Sequence, residues 1–94
     1  MLIGRQLPMN KYTVTSPQKL AGKLLRIREF LNLSQTEMLK RLGFDERLYR
    51  SNISQYERGD REPPLLVILN YAKIADVSVE MLIDDESELN LGDS

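Results

Sequence analysis

The sequence predicts an all-α fold, a bundle of five helices, on three observations. Apolar residues recur at spacings of three and four, a capping signal stands at Ser34, and glycines at 43 and 59 close two short periodic segments. Residues 1–15 lack that periodicity and contain Gly4 and Pro8. They are expected to form a loose N-terminal arm, with a short strand over 11–15 the only regular alternative. The bundle is expected over residues 16–83 and an acidic tail over 84–94.

The first helix is expected to open at Ser16-Pro17. Serine accepts orphan amide hydrogens, and proline suits a first helical position because its fixed φ is already helical. Leu20, Leu24, Ile27 and Leu31 then form one stripe, with Lys23, Arg26 and Glu29 falling away from it. Ser34 and Glu37 have the spacing of a capping box, and Leu33 and Met38 that of a hydrophobic staple, so the second helix starts after Ser34. It ends at Gly43, which suits the left-handed position past a helix end. A third helix, ended by Gly59, carries an inward stripe of Tyr49, Ile53 and Tyr56. Arg47, Ser51, Ser54, Gln55 and Arg58 line its other side. Pro63-Pro64 interrupts the chain before a fourth helix supported by Leu66, Leu69, Ala72 and Ile74. Ser78 caps a short fifth one over 79–83. The tail, rich in Asp and Glu, is expected to be disordered in the monomer.

Composition narrows the function. Ninety-four residues make one domain, and a chain this small buries only about 60–65% of its unfolded surface, so close packing or a partner must support it. With no cysteine and no histidine, disulfides, thiolate chemistry, the usual neutral general base and the commonest metal ligand are all excluded. No catalytic residue, metal site or cofactor is expected. The longest apolar run, 65–69, is too short to span a bilayer, and the N-terminus does not read as a signal peptide, so a cytoplasmic location is expected. The net charge of −1 hides a split. Residues 1–61 hold 12 Lys and Arg against 6 Asp and Glu, whereas residues 62–94 hold one Lys against 8 acids. A polyanion responds to the local field, so the first stretch can meet one. Two solvated faces of opposite sign would give the same count.

The segment Ser34-Gln-Thr-Glu-Met-Leu-Lys-Arg-Leu-Gly43, then Ile53-Ser-Gln-Tyr-Glu-Arg-Gly59 and Arg61-Glu-Pro-Pro64, resembles the helix-turn-helix of the phage Cro and lambdoid-repressor type, the XRE family. The likeness extends over residues 17–83 and implies a DNA-binding transcription regulator, such as a repressor, that inserts the helix ending at Gly59 into the major groove. Each base pair shows a distinct donor and acceptor pattern there. On this resemblance Arg50, Ser51, Ser54 and Gln55 face bases. Gln35 holds a phosphate at a helix start, and Arg58 and Arg61 touch the backbone. Arg28 and Glu57 match a structural ion pair that orients the helices. A homodimer on a two-fold site of double-stranded DNA is implied as the working form, joined through the fifth helix, the tail or the arm.

The sequence departs from the family at two places. Four residues beyond the usual spacing separate Gly43 from Ile53. They either bulge the turn or add a helical turn to the start of the reading helix, with Asp45 as cap. The spacing of Arg47, Ser51, Ser54 and Arg58 favours the added turn and brings Arg47 among the candidate base readers. Leu39 stands where the family carries alanine, which implies a wider helix crossing. The competing reading is a protein-interaction module such as an antitoxin, whose acidic tail covers a basic partner while DNA binding is secondary or lost.

Overall fold

The computed structural model describes residues 16–92, and the expected arm, with its alternative strand at 11–15, lies outside them. Helices α1 (Leu20–Phe30), α2 (Gln35–Leu42), α3 (Arg50–Arg58), α4 (Leu65–Ala75) and α5 (Val79–Ile83) form an all-α bundle, with no strand among the described residues. α1 packs on α3, α4 and α5, while α2 packs on α3 and α4. Leu24, Ile27, Met38, Ile53, Tyr71 and Leu82 are fully buried at the centre, so every helix contributes a side chain there.

The boundaries follow local chemistry. Ser34 Oγ accepts from the Glu37 amide at 3.0 Å, and Glu37 Oε1 accepts from the Ser34 amide at 2.7 Å, so the capping box is complete. Gly43 and Gly59 end α2 and α3 at φ 83° and 78°, where a side chain would be strained. α1 and α4 end on Asn32 and Asp76, both at φ 59°, the residue types that best tolerate this conformation without being glycine.

Several expectations are corrected. α1 begins at Leu20 and not at Ser16-Pro17, because the Ser16 hydroxyl turns away to donate to Glu62 Oε1 at 2.6 Å. Its capping role falls to Asp85, whose carboxylate accepts from the Gln18 amide at 2.8 Å and the Lys19 amide at 3.0 Å. The tail is therefore ordered as far as it is described. Leu89 is buried against the core, and Lys23, expected on the wet side of α1, is buried with it. The Lys23 ammonium donates to the carbonyls of Met81 at 2.7 Å, Asp84 at 3.0 Å and Ser87 at 2.9 Å. Three acceptors match the three protons of an ammonium, and that match lets a charge sit away from water.

The remaining corrections concern the two faces next to the turn. Tyr49 is 76% exposed and does not join the inward stripe of α3; Leu48, one residue earlier, packs on the core instead. On α4 the buried face is Val67, Ile68, Tyr71 and Ala72, which leaves Leu65 and Leu66 in solvent.

Candidate nucleic-acid interface

The four extra residues lie in the turn and not in the reading helix. The chain from Phe44 closes on itself, with the amides of Arg47 and Leu48 both donating to the Phe44 carbonyl at 2.9 and 2.8 Å. Phe44 and Leu48 pack against the core and pin this loop at both ends. α3 starts only at Arg50, with Tyr49 as its extended cap residue and the Tyr49 amide donating to Asn52 Oδ1 at 2.8 Å. Asp45 lies in the turn and does not cap α3, and Arg47 stands exposed in the turn ahead of the first residue of the reading helix. Asn52, three residues after Tyr49, supplies the side-chain contact at this helix start in place of an acid at 45. Its signal in the sequence is an amide side chain three residues after the cap position.

Within α3 the residues divide cleanly. Ile53, Tyr56 and Glu57 are buried, Ser54 and Gln55 are half-buried, and Arg50, Ser51 and Arg58 are exposed. The outward face thus carries two guanidinium groups, two hydroxyls and one amide, and no acid. The two arginines sit at opposite ends of it. Arg58 donates to the Ser54 hydroxyl and, at 2.9 Å, to Asp60 Oδ2. The Arg58–Asp60 pair is more than half exposed on both sides. Such pairs contribute only about 0–1 kcal/mol, so a stronger anion can displace Asp60. Gln55 Oε1 accepts from Asn52 Nδ2 at 3.3 Å, which leaves its amide hydrogens directed elsewhere. Arg61 is exposed beyond Gly59.

A chain of side chains ties this face to the rest of the bundle. Arg28 meets Glu57 through two parallel bonds, Nε to Oε2 at 2.6 Å and Nη2 to Oε1 at 3.0 Å, and also donates to the Leu33 carbonyl at 2.9 Å. The Glu57 side chain is 4% exposed and that of Arg28 is 18% exposed. The hydrogen bond to Glu57 raises the Arg28 pKa above its already high ordinary value, so the cation is permanent. Gln35 extends the chain, its Nε2 donating to Glu57 Oε1 and its Oε1 accepting from Arg50 Nη1, both at 3.0 Å. The side chain expected to grip a phosphate is therefore engaged in orienting Arg50. Leu39, in place of a family alanine, is buried among the core residues of α2. At the far end of α2, Asn70 of α4 donates to the Leu42 carbonyl at 2.9 Å and satisfies one of its open acceptors.

Two short helices joined by a turn, the second with a polar outward face and packed on both α1 and α2, define a helix-turn-helix. A family model described as helix-turn-helix matches residues 24–82, well over half of the sequence. The chain belongs to the helix-turn-helix family of the Cro-like XRE type, a family of DNA-binding regulators. No curated protein shows a significant match. None of the helices among the described residues is long and apolar enough to cross a membrane.

Proposed function

We propose that the chain is a sequence-specific transcription regulator that lays α3 in the major groove, acting as a cytoplasmic homodimer on a two-fold related site. The observation that carries this reading is the acid-free outward face of α3. Ile53, Tyr56 and Glu57 fix the opposite face in the core, so the polar face is presented on a rigid rod. An α-helix fits the groove, and glutamine pairs bidentately with adenine N6 and N7, arginine with guanine O6 and N7. Gln55 and Ser54 then read bases at the middle of the helix. Ser51 and Arg50 read them at its start, where Gln35 steadies the Arg50 guanidinium. Arg58 and Arg61 neutralise phosphates, and the amides at the start of α2, beside Gln35, donate to another. The antitoxin reading loses its docking segment, because the acidic tail lies against α1 of its own chain.

Selection of preferred sites from random duplex DNA, followed by titration of two variants, tests the reading. Gln55→Ala should lose about 1–3 kcal/mol at one base position and relax the preference there. Arg58→Ala should weaken all sequences alike and reduce the salt slope of log affinity by about 0.9. Unaltered sequence preference in Gln55→Ala shows the register to be wrong. Affinity that ignores salt ends the groove-docking reading altogether.

A further inference from the structure

Five large apolar side chains are exposed among the described residues, and two of them, Leu65 and Leu66, stand side by side at the start of α4 at 69% and 63% exposure. They border a groove of about 310 Å³ whose other wall is the lengthened turn, with Phe44 and Leu48 in its floor and Arg47 at its rim. None of the described residues covers these two leucines. The tail, one of three elements expected to join two copies, is committed to α1 through Asp85 and through the Asp84 and Ser87 carbonyls on Lys23.

We infer that this groove is where a second copy of the chain docks, as a two-fold pair in which each copy's Leu66 enters the other's groove. The inference deepens the proposed homodimer and rests on that reading for its place on DNA. Three features of the surface favour a second copy over an unrelated partner. A two-fold contact uses one patch twice, so the patch must carry both a projection and a recess, and here exposed leucines border a recess lined by their own neighbours. It must also be complementary to itself in charge. The turn supplies this, since exposed Arg47 follows exposed Asp45 and Glu46, and a two-fold axis beside it sets cation against acid twice. Finally, the turn runs directly into Arg50, the first residue of α3. A contact made there fixes the separation and direction of two reading helices, as two half-sites about one DNA turn apart require. The extra residues after Gly43 thus build an interaction surface and do not extend the reading helix.

Sedimentation equilibrium of the full chain without DNA, wild type beside Leu66→Glu, Arg47→Glu and Glu46→Arg, tests this. A reversible monomer–dimer equilibrium is expected for the wild type. Leu66→Glu, at an exposed position, should weaken it at least tenfold with an unchanged circular dichroism spectrum. Arg47→Glu and Glu46→Arg should each weaken it, and an equimolar mixture of the two should recover dimer. A wild type that stays monomeric up to millimolar concentration, or a dimer indifferent to Leu66→Glu, overturns the inference. Binding to a duplex carrying one half-site separates this from the functional reading. Leu66→Glu that keeps half-site affinity but loses dimer supports the groove, whereas a groove-dependent dimer without any duplex binding supports the groove and removes the regulator.

Discussion

Replacing Arg28 by methionine should be among the most damaging single changes outside the apolar core. The substitution keeps the aliphatic stem of the side chain and deletes the guanidinium. Glu57, 4% exposed, is then left with only Gln35 Nε2 as a close donor, and the Leu33 carbonyl loses its own. Removing one partner of a buried pair costs about 3–5 kcal/mol. The 18% exposure of Arg28 lets water reach one edge of the vacated site, so the lower end, about 3 kcal/mol, is expected. A domain of this size holds about 5–14 kcal/mol in total, so the loss is a large share of it. With a urea slope of about 1–1.5 kcal/mol/M, the midpoint should fall by about 2–3 M. Equilibrium unfolding followed by far-ultraviolet circular dichroism measures it. The double variant Arg28→Met with Glu57→Leu should regain at least half of the loss, because it leaves no isolated charge. A single variant that loses under about 1 kcal/mol, or a double variant no better than the single, would refute the account of Glu57 as a carboxylate that depends on its partner.

Three further changes probe other parts of the fold. Lys23→Met should cost about 2 kcal/mol or more, since bonds to charged groups contribute about 1.5–3 kcal/mol each; faster hydrogen exchange over residues 84–92 would locate the damage. Asp85 and Glu37 are both held below their ordinary carboxylate pKa, Asp85 by the Gln18 and Lys19 amides and Glu37 by Ser34. A depressed folded pKa contributes stability that is present above the ordinary value and lost as pH falls through the folded one. The melting temperature should therefore drop on acidification below about pH 4, and Asp85→Asn should flatten that drop. The Tyr71 hydroxyl is buried with no hydrogen-bond partner, and burial pushes its pKa well up. Tyr71→Phe removes an unsatisfied group, so thermal unfolding should show unchanged or slightly higher stability; a loss beyond about 1 kcal/mol would mean that the hydroxyl does hold a partner.

What could be read from the sequence was what neighbouring residues decide. Ser34 and Glu37 are three apart, and Gly43 and Gly59 act on the turn they end, so the limits of α2 and the end of α3 were visible in advance. The polar side of α3 beyond Ile53 was visible for the same reason. Helical spacing sets Lys23 on the wet side and misses its three acceptors, because they come from residues 58 to 64 positions later. No helical pattern announces a lysine whose charge is satisfied by distant carbonyls. Asp85 was hidden likewise, as a cap donated across the whole domain. The start of α3 was ambiguous locally, since an acid at 45 and an amide at 52 are both adequate helix-start signals. Packing of Phe44 and Leu48 decided between them.

The grip of Lys23 on the C-terminal segment has a practical bearing on how the protein is handled. An acidic end that looks dispensable is an obvious candidate for trimming when a shorter fragment is wanted for crystals or spectroscopy. Cutting after Ile83 would strip the ammonium of two of its three acceptors and uncap the amides ahead of α1 in one step. The fragment would lose part of its first helix's anchorage, and a failure to bind DNA in that form would report a loosened scaffold and not a missing contact.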